Sequence, residues 1–252
     1  YKDGLFQLAG EQFERFTQRY PRSIKLPDAT FLKAECQFQL EQYETAASEF
    51  SAFLDHFPSS NLADNAYFRL GDTYLKLKKT QEAISAFKSV LEKHGESKLA
   101  GEAAYWIGEA YVKLEDYDNA IKYYTLSYEN FPDNRLRDYA LYSVAWTHQR
   151  KSEYAKAAEW YRKLLKEFPQ SGLAASSKVR IGECYYYSKD YARAIEELTA
   201  ARPTIDSTEQ QGEADYLLGE SYYNLDQFDK AQVQYEGFLA NFPRHKLTNE
   251  VT

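Results

Sequence analysis

The chain repeats itself every 37 residues, in register, from end to end. Glycine recurs at one phase as Gly71, Gly108, Gly182 and Gly219, and Ala34 and Ala145 fill the same phase. Alanine holds a second phase throughout: Ala9, Ala46, Ala83, Ala120, Ala157, Ala194 and Ala231. An aromatic–proline pair closes most units, as Tyr20-Pro21, Phe57-Pro58, Phe131-Pro132, Phe168-Pro169 and Phe242-Pro243. A fixed period of about 20–50 residues marks an array in which each unit buries its apolar face against its neighbours. A single array over residues 1–252 therefore replaces the one or two globular cores that length alone suggests. It divides into a half repeat 1–23, repeats 24–60, 61–97, 98–134, 135–171, 172–208 and 209–245, and a tail 246–252. The chain starts inside a repeat and contains no Met, so it reads as a fragment of a longer protein.

Residues 61–97 show how one unit works. Leu62, Ala66, Leu70 and Tyr74 recur every fourth residue and predict an amphipathic helix, helix A. Ser23, Ser60, Ser97, Asn134, Ser171 and Thr208 stand before it in successive units, where a small side-chain oxygen caps free backbone N–H groups. A break follows near Lys78-Lys79. Ala83, Phe87, Val90 and Leu91 then define helix B, which ends at the aromatic–proline phase because a residue before Pro avoids the α region. Gly71 and Ala83 predict a close approach of the two helices, with Tyr74 and Phe87 filling the space beside it.

Gly71, Tyr74, Ala83, Phe87 and Pro58 at this spacing resemble the tetratricopeptide repeat, whose usual unit is three residues shorter. The resemblance covers the whole chain. It implies an all-α, right-handed superhelical α-solenoid of antiparallel helix pairs, with helix A of each unit lining a concave groove. It also implies a protein–protein interaction scaffold that holds a partner segment in that groove. The longer linker, Phe-Pro-x-Ser/Asn before an Ala-rich helix start, resembles a branch typical of bacterial envelope proteins. That branch includes the outer-membrane assembly lipoprotein BamD and the periplasmic coordinators of the Tol-Pal system. It implies a periplasmic or envelope-associated location within an outer-membrane assembly, with the cytoplasm as the alternative.

With that orientation, one residue past the glycine phase faces the groove: Glu35, Asp72, Glu109, Trp146, Glu183 and Glu220. Aromatic rows flank it, including Tyr105, Tyr142 and Tyr186. An acidic row between aromatics suits a partner segment carrying Lys or Arg among apolar residues. The competing reading pairs the acids with Lys76, Lys113 and Arg150, since exposed ion pairs are common and mild. The 135–171 unit departs from the row. Trp146 replaces the acid, with Tyr142 and Arg150 four residues to either side and Tyr139 nearby. Trp, Tyr and Arg are enriched at binding hot spots, and this spacing puts them on one helical face. The alternative buries Trp146 against the next unit. The candidate partner-binding residues are Tyr105, Glu109, Tyr139, Tyr142, Trp146, Arg150, Glu183 and Tyr186. Tyr123 and Trp160 interrupt a polar phase in adjacent units and mark either a convex contact, with a partner or a second copy, or packing beneath a loop. The alternative function is thus a structural module that self-associates through its convex face.

Composition narrows the rest. A net charge of −7 argues against nucleic acid, which needs clustered Lys and Arg. No apolar run approaches the ~18 residues of a membrane span. Cys36 and Cys184 share a phase that holds small residues elsewhere, so they read as buried thiols too far apart to bridge. His148 takes a phase of tyrosines and reads as a packed histidine; no histidine has metal-site spacing. No nucleophile–base set, phosphate loop or zinc motif occurs, so no enzyme activity, metal or cofactor is expected. The groove lacks the Lys and Asn of the carboxylate clamp found in chaperone-binding members, which removes that role. Pro203 falls inside helix B of the 172–208 unit, which predicts that this helix stops near Arg202 and that the array changes geometry between Pro203 and Gln211.

Overall fold

In the computed structural model, which describes residues 2–251, helix starts recur at the 37-residue period. All regular structure among the described residues is helical, in two compact units, residues 1–136 and residues 137–252. The first holds α1 (Lys2–Arg19), α2 (Leu26–Gln39), α3 (Tyr43–His56), α4 (Ala63–Lys76), α5 (Thr80–Lys93), α6 (Ala100–Lys113) and α7 (Tyr117–Glu129). The second holds α8 (Arg137–Arg150), α9 (Tyr154–Glu167), α10 (Ala174–Tyr187), α11 (Tyr191–Ala201), α12 (Thr208–Asn224), α13 (Phe228–Asn241) and α14 (Thr248–Val251). Within the first unit, and from α8 through α13 in the second, each helix packs on the next, so each unit is an α-solenoid of helix pairs.

The joint between helices A and B is the same in every pair. Glu41, Lys78, Glu115, Ser152, Lys189 and Asp226 all adopt left-handed φ between 56° and 64°. In the pair α4–α5 the Lys79 N–H reaches the Tyr74 carbonyl at 2.8 Å and the Lys78 N–H the Leu75 carbonyl at 3.1 Å. This pattern satisfies carbonyls left free at a helix C-terminus. Glycine usually takes the left-handed position; no glycine stands there, so the sequence places the break near Lys78-Lys79 but not its left-handed backbone.

The serine phase acts slightly earlier than a helix cap. Ser60 Oγ accepts from the Leu62 N–H at 3.2 Å, and Ser97, Asn134 and Ser171 do the same two residues on at 3.1 Å. These bonds shape the turn that enters helix A. Ser97 and Ser171 also donate to Asp64 and Asp138, at the start of helix A of their own repeats, each at 2.6 Å. In the last full repeat Ser207, not Thr208, is the cap, and α12 starts one turn early.

The close contact at the glycine phase differs from expectation. A Cβ on Gly71 would lie 2.6 Å from the Phe87 ring, and one on Gly108 would lie 2.6 Å from the Tyr124 ring. Gly182 faces Leu198 and Gly219 faces Tyr235 in the same way. Glycine thus makes room for the large residue of helix B rather than for Ala83. Ala83, Phe87 and Val90 are fully buried with Ile107, and Tyr161 and Leu164 are the equivalents in the second unit.

Helix B stops before the aromatic–proline pair, at His56 and Glu167 for example. It stops equally at Lys93, where His94-Gly95 replaces the pair, so proline is not required for the stop. At Pro203, α11 ends at Ala201 and one 3-10 turn (Arg202–Thr204) follows. Buried Ile205 takes the place of the closing aromatic, the Arg202 guanidinium grips Asp215, and α12 packs on α10 as well as on α11. Cys36 and Cys184 are free and buried, and burial pushes the Cys184 thiol up to about 12. His148 is buried, with Nδ1 2.7 Å from Glu153.

Gly71→Ala tests the ring contact. Alanine raises intrinsic helix propensity by about 1 kcal/mol. The fully buried Phe87 ring cannot move aside, so net destabilisation of about 1–3 kcal/mol is expected by denaturant unfolding. Adding Phe87→Leu should recover part of that loss, and simple additivity of the two losses would refute the contact.

Candidate functional site

The residue after the glycine phase lies one step around helix A from the ring contact, so it meets whatever the ring carries. Where the ring is tyrosine, its hydroxyl reaches the acid: Tyr124 donates to Glu109 and Tyr235 to Glu220, both at 2.5 Å. Glu220 also accepts from the Tyr186 hydroxyl at 3.2 Å. Where the ring is phenylalanine, an arginine substitutes. Arg69 Nε donates to Glu35 at 3.0 Å and its Nη1 to Asp72 at 3.4 Å. Glu183 is buried, 6% exposed, and accepts from Arg180 at 2.6 Å and Gln149 at 2.9 Å. The acidic row is therefore engaged within the protein, though its partners are not the predicted Lys76, Lys113 and Arg150. The expectation that these acids attract a basic segment loses its footing, and Glu183 offers a partner no free carboxylate.

Trp146 is different. It is half-buried and belongs to neither buried cluster of its unit. Exposed Arg150 lies over its ring at 5.5 Å, close enough for a cation–π contact. Trp146, Arg150, Gln149, Ser152, Tyr154, Arg180 and Tyr187 line an open pocket of about 330 Å³ between α8 and α10, at the turn into α9. Tyr154 and Tyr187 form one wall, stacked at 5.8 Å with 23° between planes, and Tyr187 is 52% exposed.

The other predicted residues divide. Tyr139 is 48% exposed on α8, two turns before Trp146 on a similar face. Tyr142 packs edge-on against buried Tyr161 at 5.3 Å and joins the core beside the pocket. The Tyr186 ring packs edge-on against Tyr187 at 5.2 Å; burial and the Glu220 carboxylate push its hydroxyl pKa up. In the first unit Tyr105 lies against Tyr124 at 5.5 Å, beside Glu109. Tyr123 stacks on Tyr111 at 5.6 Å, under the Lys88 ammonium, and packs against its unit's core. Trp160 is half-buried against the core of its own unit, 4.5 Å from the Lys163 ammonium. Both rings are part-buried and pack within their own unit. Tyr154, Arg180 and Tyr187 belong to the pocket and escaped the sequence reading. The available signal was that Arg180 shares a phase with Arg69 alone.

Among the described residues no cluster of His, Cys, Asp or Glu is placed to hold a metal, and no helix is long and apolar enough to cross a membrane. Stacked helix pairs bearing an aromatic–arginine pocket define a repeat protein of the interaction-module class. The chain belongs to the tetratricopeptide repeat family, which matches residues 1–61, 68–135, 145–209 and 213–245. Members of that family are generally non-enzymatic interaction modules. Among solved structures, the C-terminal part of a repeat-containing protein from Cytophaga hutchinsonii has a TM-score of 0.73 at 16% identity, covering 99% of this chain and 95% of that one. The apo form of RapI has 0.68 at 15%, covering 97% and 73%. YrrB, described as having an unusual peptide-binding site, has 0.60 at 15%, covering 81% and 97%. These likenesses show the shared fold. No curated protein matches the sequence.

Asp72 gives the acidic row a measurable pH dependence. Burial raises its pKa to about 6 in spite of Arg69 beside it. A carboxyl raised in the folded state contributes stability at pH values below its unfolded pKa, near 4, and that stability is lost as pH rises through about 6. Asp72→Asn should therefore resemble the parent at pH 4 and exceed it at pH 8 by about 1–3 kcal/mol in urea unfolding. Equal stability of the two proteins at pH 8 would show that Arg69 outweighs burial.

Proposed function

We propose that the protein is a non-enzymatic scaffold for protein–protein interaction, holding a segment of a partner protein on the helix-A face around Trp146. The observation that carries this reading is Trp146 itself. Every other helix-A acid position in the row is closed by an internal bond, whereas the Trp146 ring stands in an open pocket with Arg150 over it. Trp, Tyr and Arg at the centre of a pocket are the residues that dominate binding energy at interfaces. The peptide-binding site named for YrrB supports the same kind of use of this fold.

We place the scaffold in a bacterial envelope assembly, periplasmic or envelope-associated. The support is the Phe-Pro-x-Ser/Asn linker at Phe57-Pro58-Ser59-Ser60 and Phe168-Pro169-Gln170-Ser171, which resembles that of envelope members of the family. The alternative, self-assembly through a convex face, drew on Tyr123 and Trp160, and internal packing of both rings weakens it.

A photo-crosslinking phenylalanine analogue at position 146, introduced in the native bacterium, tests the scaffold. A discrete heterologous partner from the envelope fraction supports it; exclusive cross-linking to a second copy favours self-assembly. Against the partner so identified, Trp146→Ala should weaken binding by about tenfold or more. Its melting temperature should stay within about 2 °C of the parent, because truncating a ring outside the core leaves stability nearly unchanged. A fall of many degrees would make Trp146 a core residue.

A further inference from the structure

The repeat supplies its own reference for the Trp146 pocket. Arg69 and Arg180 lie three periods apart and share a phase. Arg69 sits between two carboxylates: Asp72 one turn on in its own helix, and Glu35 of the preceding helix A, 3.0 Å from Nε. Arg180 keeps the first of these as Glu183 at 2.6 Å and also meets the Tyr142 hydroxyl. The residue at the Glu35 phase is Trp146, so Arg180 has no second carboxylate. Gln149 occupies the Phe38 phase and donates at 2.9 Å to the same Glu183 oxygen that Arg180 holds, so that one carboxylate is shared between them. Arg150 adds a second guanidinium to the pocket and forms no ion pair among the described residues. The nearby Glu153 is held by His148, Lys151 and Lys156 and neutralises neither arginine. Two arginines against one carboxylate give a locally positive pocket in a chain whose net charge is −7.

We infer that this pocket takes a glutamate side chain of the partner segment, seated beside an aromatic or aliphatic residue; the inference rests on the scaffold reading above. The incoming carboxylate lies between Arg180 and Arg150, as that of Glu35 lies against Arg69. A guanidinium presents paired N–H donors that match a carboxylate. The neighbouring apolar residue lies on Trp146 and the Tyr154–Tyr187 wall. A lysine or arginine of the partner meets like charge here. Glutamate fits because the internal reference is a glutamate reaching across from an adjacent helix, and the pocket is open along the helix faces, so no chain terminus is needed.

The test uses the full chain, labelled with 15N, and matched sets of short peptides with acetylated N-termini and amidated C-termini. Each set carries Glu, Gln or Lys beside Phe or Leu; a further acid-free peptide keeps a free C-terminal carboxylate. The Glu peptides should shift the Nε–H resonances of Arg150 and Arg180, bind at least about tenfold more tightly than their Gln counterparts, and weaken as salt rises. Arg150→Gln should weaken them by about fivefold or more without changing the fold. Trp146→Glu restores the residue type used at this phase elsewhere, so it should stay folded, pair with Arg180 and abolish binding of Glu peptides. Equal affinity for Glu and Gln, unimpaired binding to Trp146→Glu, or equal binding of the free-terminus peptide overturns the glutamate assignment. Tighter binding of Lys peptides at α8 and α10 overturns it while leaving the scaffold reading intact. Absence of any shift on that face with every peptide sinks both.

Discussion

The contact on which the rest of the molecule depends is a large side chain laid on the backbone of its partner helix. Phe87 on Gly71, Tyr124 on Gly108 and Tyr235 on Gly219 are repetitions of one interaction. Glycine in mid-helix costs about 1 kcal/mol relative to alanine. Full burial of a large apolar side chain returns roughly 1.5–3 kcal/mol, and the ring also fixes how near the two helices come. The left-handed joint at Lys78 and its equivalents follows from the same need. It turns the chain within a few residues, so that helix B runs back along helix A with the ring opposite the glycine.

That contact also determines what happens one residue further on. An acid after the glycine is carried to the edge of the ring, and a tyrosine hydroxyl there closes on it, as Tyr124 does on Glu109. A phenylalanine has nothing to offer the acid, and in the first unit the arginine of the next helix A serves two acids at once. The acidic row therefore records how each helix pair solves a local pairing problem. Its regularity along the sequence follows from these internal pairings.

This explains what could and could not be read from the sequence. Helix phases, their ends and the burial of Cys184 and His148 were legible, because each follows from period and side-chain size. The place of the turn near Lys78-Lys79 was legible as well, but its left-handed backbone at Glu41, Lys78 and Ser152 was not, because it is held by C-terminal carbonyls and no glycine announces it. The glycine contact was half legible: its existence follows from residue size, but its partner, Phe87 rather than Ala83, depends on the axial offset of the two helices. For the site, Trp146 and Arg150 were visible as exceptions, whereas Arg180 and Tyr187 required knowing that α8 and α10 face a common pocket. Glu183 was misjudged because its phase suggested a groove-facing acid, and only the fold shows Arg180 and Gln149 closing over it.

In a repeat whose polar groups pair across units, one substitution alters two positions. Trp146 removes the acid that its phase supplies elsewhere, and by doing so leaves the arginine one period on with a single carboxylate. The part-buried Arg180 guanidinium tolerates this because it keeps Glu183 and the Tyr142 hydroxyl as partners. The same change adds an aromatic plane beside the freed donors. Low cost to folding and high value for recognition coincide at this position, because pairing there is weak in water and stronger once a partner segment excludes water from the pocket. The Pro203 joint shows the opposite balance. There the departure from the repeat is answered inside the unit, by Ile205 in the core and Arg202 on Asp215, so the irregularity is absorbed and leaves no open chemistry. Irregularities in such an array therefore separate by whether the fold itself supplies the missing partner, and by that criterion Trp146 is the one that faces outward.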